Sequence, residues 1–164
     1  MRPTRRSSAC IAFAALLTVT GLSGIEPLTT RALIASAVAN EKAPVRVAIQ
    51  VSENEPRQMT LALNNAANLA AHYKALGRKV DIQIVTYGPG LHMLRADTSP
   101  VKARIAAMSL EIDGLTFAAC KNTQVNMAKQ EGKDVPLIGE ARIVPSGVVT
   151  LIELQQTGFA YIRP

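Results

Sequence analysis

Short apolar runs alternate along the chain with longer stretches in which apolar residues recur at helical spacing. The segment 45–51 is rich in β-branched residues and follows Pro44, which predicts a first β-strand. From 58 to 76, apolar side chains return every three or four positions, and Gly77 ends the run. The chain after Pro44 therefore opens with a strand followed by an amphipathic helix.

The same alternation continues to the last residue. The segment 80–87 predicts a second strand, and Gly88-Pro89-Gly90 predicts a tight loop after it. The later segments predict a helix from Ser99-Pro100 to Met108, a strand over 115–119, a helix from Asn122 or Thr123 to Glu131, a strand over 142–144, a helix over 148–156 and a strand over 159–162.

Strict alternation of strands and helices is typical of the α/β class. We expect a three-layer α/β/α fold with a mostly parallel five-stranded sheet and helices on both faces. Ligands bind such sheets outside the carboxyl ends of the strands. The segment 52–55, Gly88-Pro89-Gly90 and Cys120 all fall at predicted carboxyl ends. If their strands are neighbours, these segments share one crevice.

The first 39 residues have the pattern of an export signal. Three arginines within the first six residues precede a mostly apolar stretch, 9–22, that is too short to span a bilayer comfortably. Small residues then favour cleavage after Ala39, which leaves residues 40–164 as one domain. We expect a periplasmic protein. A retained membrane anchor is the alternative, and both the Sec and the twin-arginine routes are open.

Cleavage of the predicted signal lowers the net charge of the protein. The full chain has a net charge of +6, but four arginines and one glutamate lie within residues 1–39, so the mature domain has +3. Its basic residues are scattered, and aromatic residues make up only 4% of the chain. This composition does not favour a nucleic-acid partner, nor a membrane partner once the signal is removed.

Cys10 lies in the predicted signal, so Cys120 is the only cysteine expected in the mature protein. A strand that runs into a helix places Cys120 beside unpaired backbone N–H groups and the positive end of the helix dipole, and Lys121 adds a cation. Such surroundings favour the thiolate. The alternative is a small buried core residue. In an oxidising compartment, an unpaired cysteine must be buried, bonded to another molecule or chemically employed.

The remaining residues limit the chemistry that Cys120 could perform. His72 and His92 are the only possible bases for a cysteine nucleophile, and no Cys-His signature surrounds them. One cysteine and two histidines form no ligand-spaced cluster, so neither a metal nor another cofactor is expected. No Cys-x-x-Cys or phosphate-binding glycine motif is present. A lone thiolate can still carry sulfur as a persulfide, exchange disulfides or sense peroxide.

Several segments, in this order and spacing, resemble the DsrE/DsrF-like sulfur-relay family. They are Gly88-Pro89-Gly90, Ala119-Cys120-x-Asn122-Thr123, Val144-Pro145-x-Gly147-Val148 and the closing segment 158–164. The resemblance implies a compact α/β/α fold and homo-oligomers, commonly trimers or hexamers. It also implies a cysteine that accepts sulfur and passes it to a partner.

On this resemblance Cys120 is the expected sulfur acceptor, and Gly88, Gly90 and Asn122 would shape its pocket. His92, Lys121 and Thr123 complete the predicted binding residues, although the family often has glycine at the position of Lys121. We therefore expect a periplasmic sulfur carrier rather than a multiple-turnover enzyme. Two alternatives are a thiol redox sensor and a non-catalytic oligomer that binds a small ligand or metal while Cys120 merely packs.

Overall fold

The computed structural model describes residues 43–164. In this part of the chain five strands and four α-helices alternate, and one 3-10 helix lies between the second strand and the second α-helix. The elements are β1 (Val45–Val51), α1 (Pro56–Ala75), β2 (Val80–Thr86), the 3-10 helix (Gly88–Leu94), α2 (Lys102–Glu111), β3 (Leu115–Cys120), α3 (Lys121–Glu131), β4 (Ala141–Val144), α4 (Gly147–Gln156) and β5 (Ala160–Ile162).

The five strands form one parallel sheet in the order β4-β3-β2-β1-β5. The predicted α/β fold with a five-stranded parallel sheet is confirmed. From β1 to β4 each strand adds to the same side, whereas β5 returns to the other side of β1. Because parallel crossovers are right-handed, this order puts α1, α2 and α3 on one face of the sheet and α4 on the other.

The two faces of the sheet are packed unequally. The face under α1, α2 and α3 holds the main core, in which Ile49, Ile84 and Phe117 pack with Leu63 of α1. On the opposite face the buried strand residues are smaller: Ala48, Val85 and Ala118 contact Leu151 of α4. These small strand residues let α4 approach the sheet closely. Helix α4 alone forms the layer on this face.

The prediction of a tight loop at Gly88-Pro89-Gly90 is wrong. These residues begin the 3-10 helix, which continues to Leu94 with Pro89 in its first turn. Leu91 and Met93 are fully buried in the main core. Their burial stabilises a short helix in a segment whose glycines and proline suggested only a turn.

The start of α2 also differs from the prediction. The helix was expected to start at Ser99-Pro100, but the hydroxyl of Ser99 donates to the carbonyl oxygen of Met93 at 2.6 Å and accepts the N–H of Val101 at 3.3 Å. The chain turns there, and the helix begins only at Lys102. Ser99 thus fastens the segment before α2 to the end of the 3-10 helix.

Across residues 43–164, no helix combines the length and the hydropathy needed to cross a membrane. The predicted export signal and the cleavage site after Ala39 lie outside the described residues and stay predictions.

Candidate functional site

Cys120 lies where β3 becomes α3 without an intervening loop. It is the last residue of β3 and the N-cap of α3, with extended backbone angles. The predicted start of this helix at Asn122 or Thr123 is wrong, because the helix begins at Lys121 and both residues lie inside its first turn. The sulfur therefore lies next to the N–H groups that open α3, among which the N–H of Asn122 donates to the carbonyl oxygen of Pro145 at 3.4 Å.

The topology brings a second helix N-terminus to the same cysteine. Cys120 pairs in register with Val144 of β4, and α4 begins at Gly147 shortly after that strand. α3 leaves β3 toward one face of the sheet and α4 leaves β4 toward the other, which is the kind of junction where α/β sheets bind ligands. Cys120 lies at this junction, between the starts of two helices.

Two opposing effects act on the pKa of the Cys120 thiol. Cys120 is only 5% exposed, and burial by itself raises the pKa of its thiol. The hydroxyl of Thr123 and the backbone N–H groups of Gly147, Thr123 and Asn122 oppose this effect and hold the pKa below its ordinary value. The negative charge of a thiolate would thus be stabilised by dipoles, without a charged side chain in contact.

Thr123 links the cysteine to the end of β2. The backbone N–H of Gly88 donates to Thr123 Oγ1 at 3.0 Å. The same hydroxyl is the first of the groups that lower the pKa of the Cys120 thiol. Gly88 has a φ of +52°, in the left-handed region that favours glycine. Its backbone angle aims the N–H at Thr123.

Gly90 joins the 3-10 helix to the end of β1. Its N–H donates to the carbonyl oxygen of Ser52 at 3.0 Å. A Cβ at this position would lie 2.2 Å from the carbonyl oxygen of Val51, so only glycine fits. The segments after β1, β2 and β3 are adjacent, as expected if their strands are neighbours.

His92 and Lys121 have other partners. His92 lies in the 3-10 helix, and its Nδ1 lies 2.8 Å from Oγ1 of Thr98, which follows that helix. Lys121 Nζ donates to Gln124 Oε1 at 3.2 Å on the surface of α3. Neither of these hydrogen bonds involves Cys120. The side chain of Asn122 is exposed, and this residue contributes to the site through its backbone N–H.

Sequence reasoning missed the part played by Gly147. A Cβ here would lie 2.9 Å from the Cβ of Tyr87 and 3.0 Å from its Cδ1. The absence of a side chain lets the start of α4 rest on Tyr87, where the N–H of Gly147 helps to lower the pKa of the Cys120 thiol. Burial, followed by the proximity of Tyr161, raises the pKa of Tyr87. Pro145-x-Gly147 after a strand was the available signal, but its meaning depended on β4 being next to β3.

A buried ion cluster at the other end of α3 was also missed. Arg95 is 1% exposed, and its Nε and Nη2 donate to the carboxylate of Asp97 at 2.9 and 2.8 Å. The same guanidinium donates to both carboxylate oxygens of Glu131, the last residue of α3. Hydrogen bonds from Arg95 lower the pKa of Asp97 to about 2 and also lower that of Glu131. An Arg-x-Asp pair directly after a buried apolar run was the sequence signal.

Residues 43–164 contain no group of three histidine, cysteine, aspartate or glutamate side chains placed to hold a metal ion.

These features define an α/β protein with one cysteine held among helix N-termini at the carboxyl edge of a parallel sheet. The model of the DsrE/DsrF-like family matches residues 45–164, and the chain belongs to this family. The family is generally associated with sulfur relay, and its members form oligomers and work with partner proteins.

A solved structure supports the fold. The chain is 30% identical to a protein of unknown function from Methanobacterium thermoautotrophicum, with a TM-score of 0.62. The similarity covers 73% of this chain and 99% of that one. No curated protein matches the chain.

Proposed function

We propose that this protein is a periplasmic sulfur carrier in which Cys120 accepts sulfane sulfur as a persulfide and passes it to a partner. The observation that carries the proposal is the position of Cys120 between the starts of two helices, at the junction of β3 with α3 and in register with the end of β4. There the hydroxyl of Thr123 and the N–H groups of Gly147, Thr123 and Asn122 lower the pKa of its thiol. These donors favour the anionic sulfur, which is the nucleophilic form.

The chemistry needs one nucleophile in each direction. The Cys120 thiolate attacks the outer sulfur of a donor persulfide, R–S–SH. The donor S–S bond breaks, its electron pair leaves with the donor as R–S⁻, and Cys120 becomes Cys120–S–SH. An acceptor thiolate then attacks the same outer sulfur, and the Cys120 thiolate leaves.

Carriage fits the site better than acyl transfer. A cysteine hydrolase needs a base to take the thiol proton, and the ring nitrogen of His92 is engaged with Thr98. Here the surrounding dipoles favour the thiolate without a base. Because only 5% of Cys120 is exposed, a compact donor such as a hydropolysulfide ion suits the site.

The periplasmic location rests on the sequence of residues 1–39. N-terminal sequencing of the protein recovered from the periplasm is expected to begin at Asn40. An intact Met1 would contradict export by a cleaved signal.

A homo-oligomer, trimeric or hexameric, is part of the proposal. Three apolar side chains of α4, Val148, Val149 and Ile152, are each about half exposed at 49%, 49% and 50%. Self-association would bury them, in keeping with the oligomers that the family forms. Light scattering should therefore give a smaller mass for Ile152→Asp than for the wild type, and equal masses would contradict this surface.

The intact mass of the natively folded protein after incubation with polysulfide tests sulfur acceptance. We expect a gain of one sulfur atom that dithiothreitol reverses, with no gain in Cys120→Ser. Modification of the wild type only after denaturation would contradict the proposal and leave Cys120 as a packing residue.

A further inference from the structure

Helix α3 is covered on one side only. Its inner residues, Thr123, Met127 and Glu131, face the 3-10 helix and Arg95, through the contacts of Thr123 with Gly88 and of Glu131 with Arg95. None of the residues of α3 is fully buried. A helix that begins at the cysteine therefore presents an open side.

An open groove of about 660 Å³ runs along this side, between α3 and the segment that follows it. Its apolar lining comes from Val125 and Ala128 of α3 and from Val135, which is 3% exposed. Gln124 Nε2 donates to the carbonyl oxygen of Val135 at 2.8 Å and fixes the two walls together. A hydrogen bond thus joins the two walls of the groove, and apolar side chains form its floor.

The charges around the groove are mainly positive. Lys121, Lys129 and Lys133 line it, and Asp134 is the one acidic residue among its lining side chains. Lys133 Nζ lies 3.8 Å from a carboxylate oxygen of Glu131, but that carboxylate is already held by Arg95. The groove therefore carries an excess of positive charge.

We propose that this groove is a docking surface for an acidic, amphipathic segment of the protein that exchanges sulfur with Cys120. Carboxylates of such a segment would meet the three lysines while its apolar side chains cover the floor. Lys121 directly follows Cys120, so a docked segment would hold its own thiol near that cysteine. The 11 residues of α3 span about 16 Å, which matches about five residues of extended chain or about eleven of helix.

This inference rests on the proposed function, since the docked partner is the sulfur donor or acceptor. Binding can nevertheless be measured without sulfur chemistry. The probe is a fluorescein-labelled peptide of alternating glutamate and leucine, and its control has glutamine in place of every glutamate. Fluorescence anisotropy is recorded with the full mature chain carrying Cys120→Ser, which prevents covalent capture.

We expect the glutamate peptide to bind at least tenfold more tightly than the glutamine peptide and to weaken as salt is raised. The combined variant Lys121→Gln, Lys129→Gln and Lys133→Gln should lose this preference. A matched variant with the same charge change, Lys74→Gln, Lys79→Gln and Lys102→Gln, alters exposed lysines outside the groove and should keep it.

Equal binding of the two peptides, or equal loss in the two lysine variants, would overturn the docking surface. A groove-lysine variant whose oligomer mass differs from the wild type would also overturn it, because the groove would then be an interface between copies. Sulfur acceptance is read separately from the polysulfide mass shift in chains that retain Cys120. Peptide binding without that shift would leave the groove standing and refute the carrier.

Discussion

The two ends of α3 stabilise negative charge in different ways. At its start, neutral donors from α3 and α4, including Thr123 and Gly147, lower the pKa of the Cys120 thiol. At its end, the buried cation of Arg95 is hydrogen-bonded to the carboxylates of Asp97 and Glu131. The first arrangement uses dipoles, and the second uses a full charge.

This difference separates reactivity from stability. Dipoles stabilise an anion without forming a permanent ion pair, so the sulfur can give up and regain its charge during reaction. A buried guanidinium with two carboxylates holds its partners in place and fastens the helix end. Changes at Arg95 should therefore alter mainly the free energy of unfolding, and changes around Cys120 mainly the reactivity of its thiol.

The largest effect is expected from Arg95→Met. Removal of the guanidinium leaves two carboxylates facing each other, and because these are about 30% exposed, water compensates part of the loss. We expect unfolding to become about 3 kcal/mol easier in denaturant titrations. Arg104→Met is the matched control, since Arg104 bonds only the surface side chain of Asn64 and the carbonyl of Thr60, and should cost under about 1 kcal/mol. Equal losses would contradict a special role for Arg95.

Gly147→Ala should disturb both stability and reactivity. The added Cβ would collide with Tyr87, so the start of α4 must shift away from Cys120. We expect a destabilisation of about 1–3 kcal/mol and a higher thiol pKa, measured by denaturation and by the pH dependence of alkylation. Gly139→Ala provides the control, because a Cβ there meets nothing within 4 Å. An unchanged thiol pKa in Gly147→Ala would argue that α4 does not support the thiolate.

Thr123→Val should act mainly on the sulfur. The substitution keeps the shape of the side chain but removes the hydroxyl between Gly88 and Cys120. We expect the alkylation rate near pH 7 to fall about tenfold, the factor for one hydrogen bond to a charged group. Thr123→Ser retains the hydroxyl and should stay close to the wild type. A large loss of stability with unchanged alkylation would reverse the roles that we assign to the two ends.

The smallest effect concerns acid. The folded state lowers the pKa of Asp97 to about 2 from an ordinary value of about 3.9. Because the folded protein prefers the charged carboxylate, this contribution is present above about pH 4 and disappears as the pH falls toward 2. The difference in unfolding free energy between the wild type and Asp97→Asn should shrink across that range. A difference that is constant with pH would contradict the ion pair.

The fold followed from the sequence because its signals are local. Val45–Val51 is a strand in both the prediction and the structure, and α3 ends at Glu131 as predicted, followed by Gly132 in the left-handed conformation. The parallel sheet followed from alternation alone. The 3-10 helix was missed because tertiary burial of Leu91 and Met93, rather than local propensity, decides its conformation.

Only part of the candidate site could be predicted. Cys120 stands out in the sequence as the lone cysteine at a strand-to-helix junction, and Thr123 was named among the binding residues. Gly147 could not be assigned to the site, because it approaches Cys120 only when β4 lies beside β3. The spacing of hydrophobic residues does not predict the order of the strands in the sheet. Arg95 and Glu131 are 36 residues apart, and hydrophobic spacing gives no information on such a long-range pair.

The decisive experiment is the rate of iodoacetamide alkylation of Cys120 as a function of pH, in native and in denatured protein. Unfolded cysteine titrates near pH 8.5. We expect the native protein to react without unfolding, and its rate to rise at a lower pH than in the denatured chain. A native midpoint at or above that of the denatured chain, or reaction only upon unfolding, would contradict a thiolate held between the starts of α3 and α4.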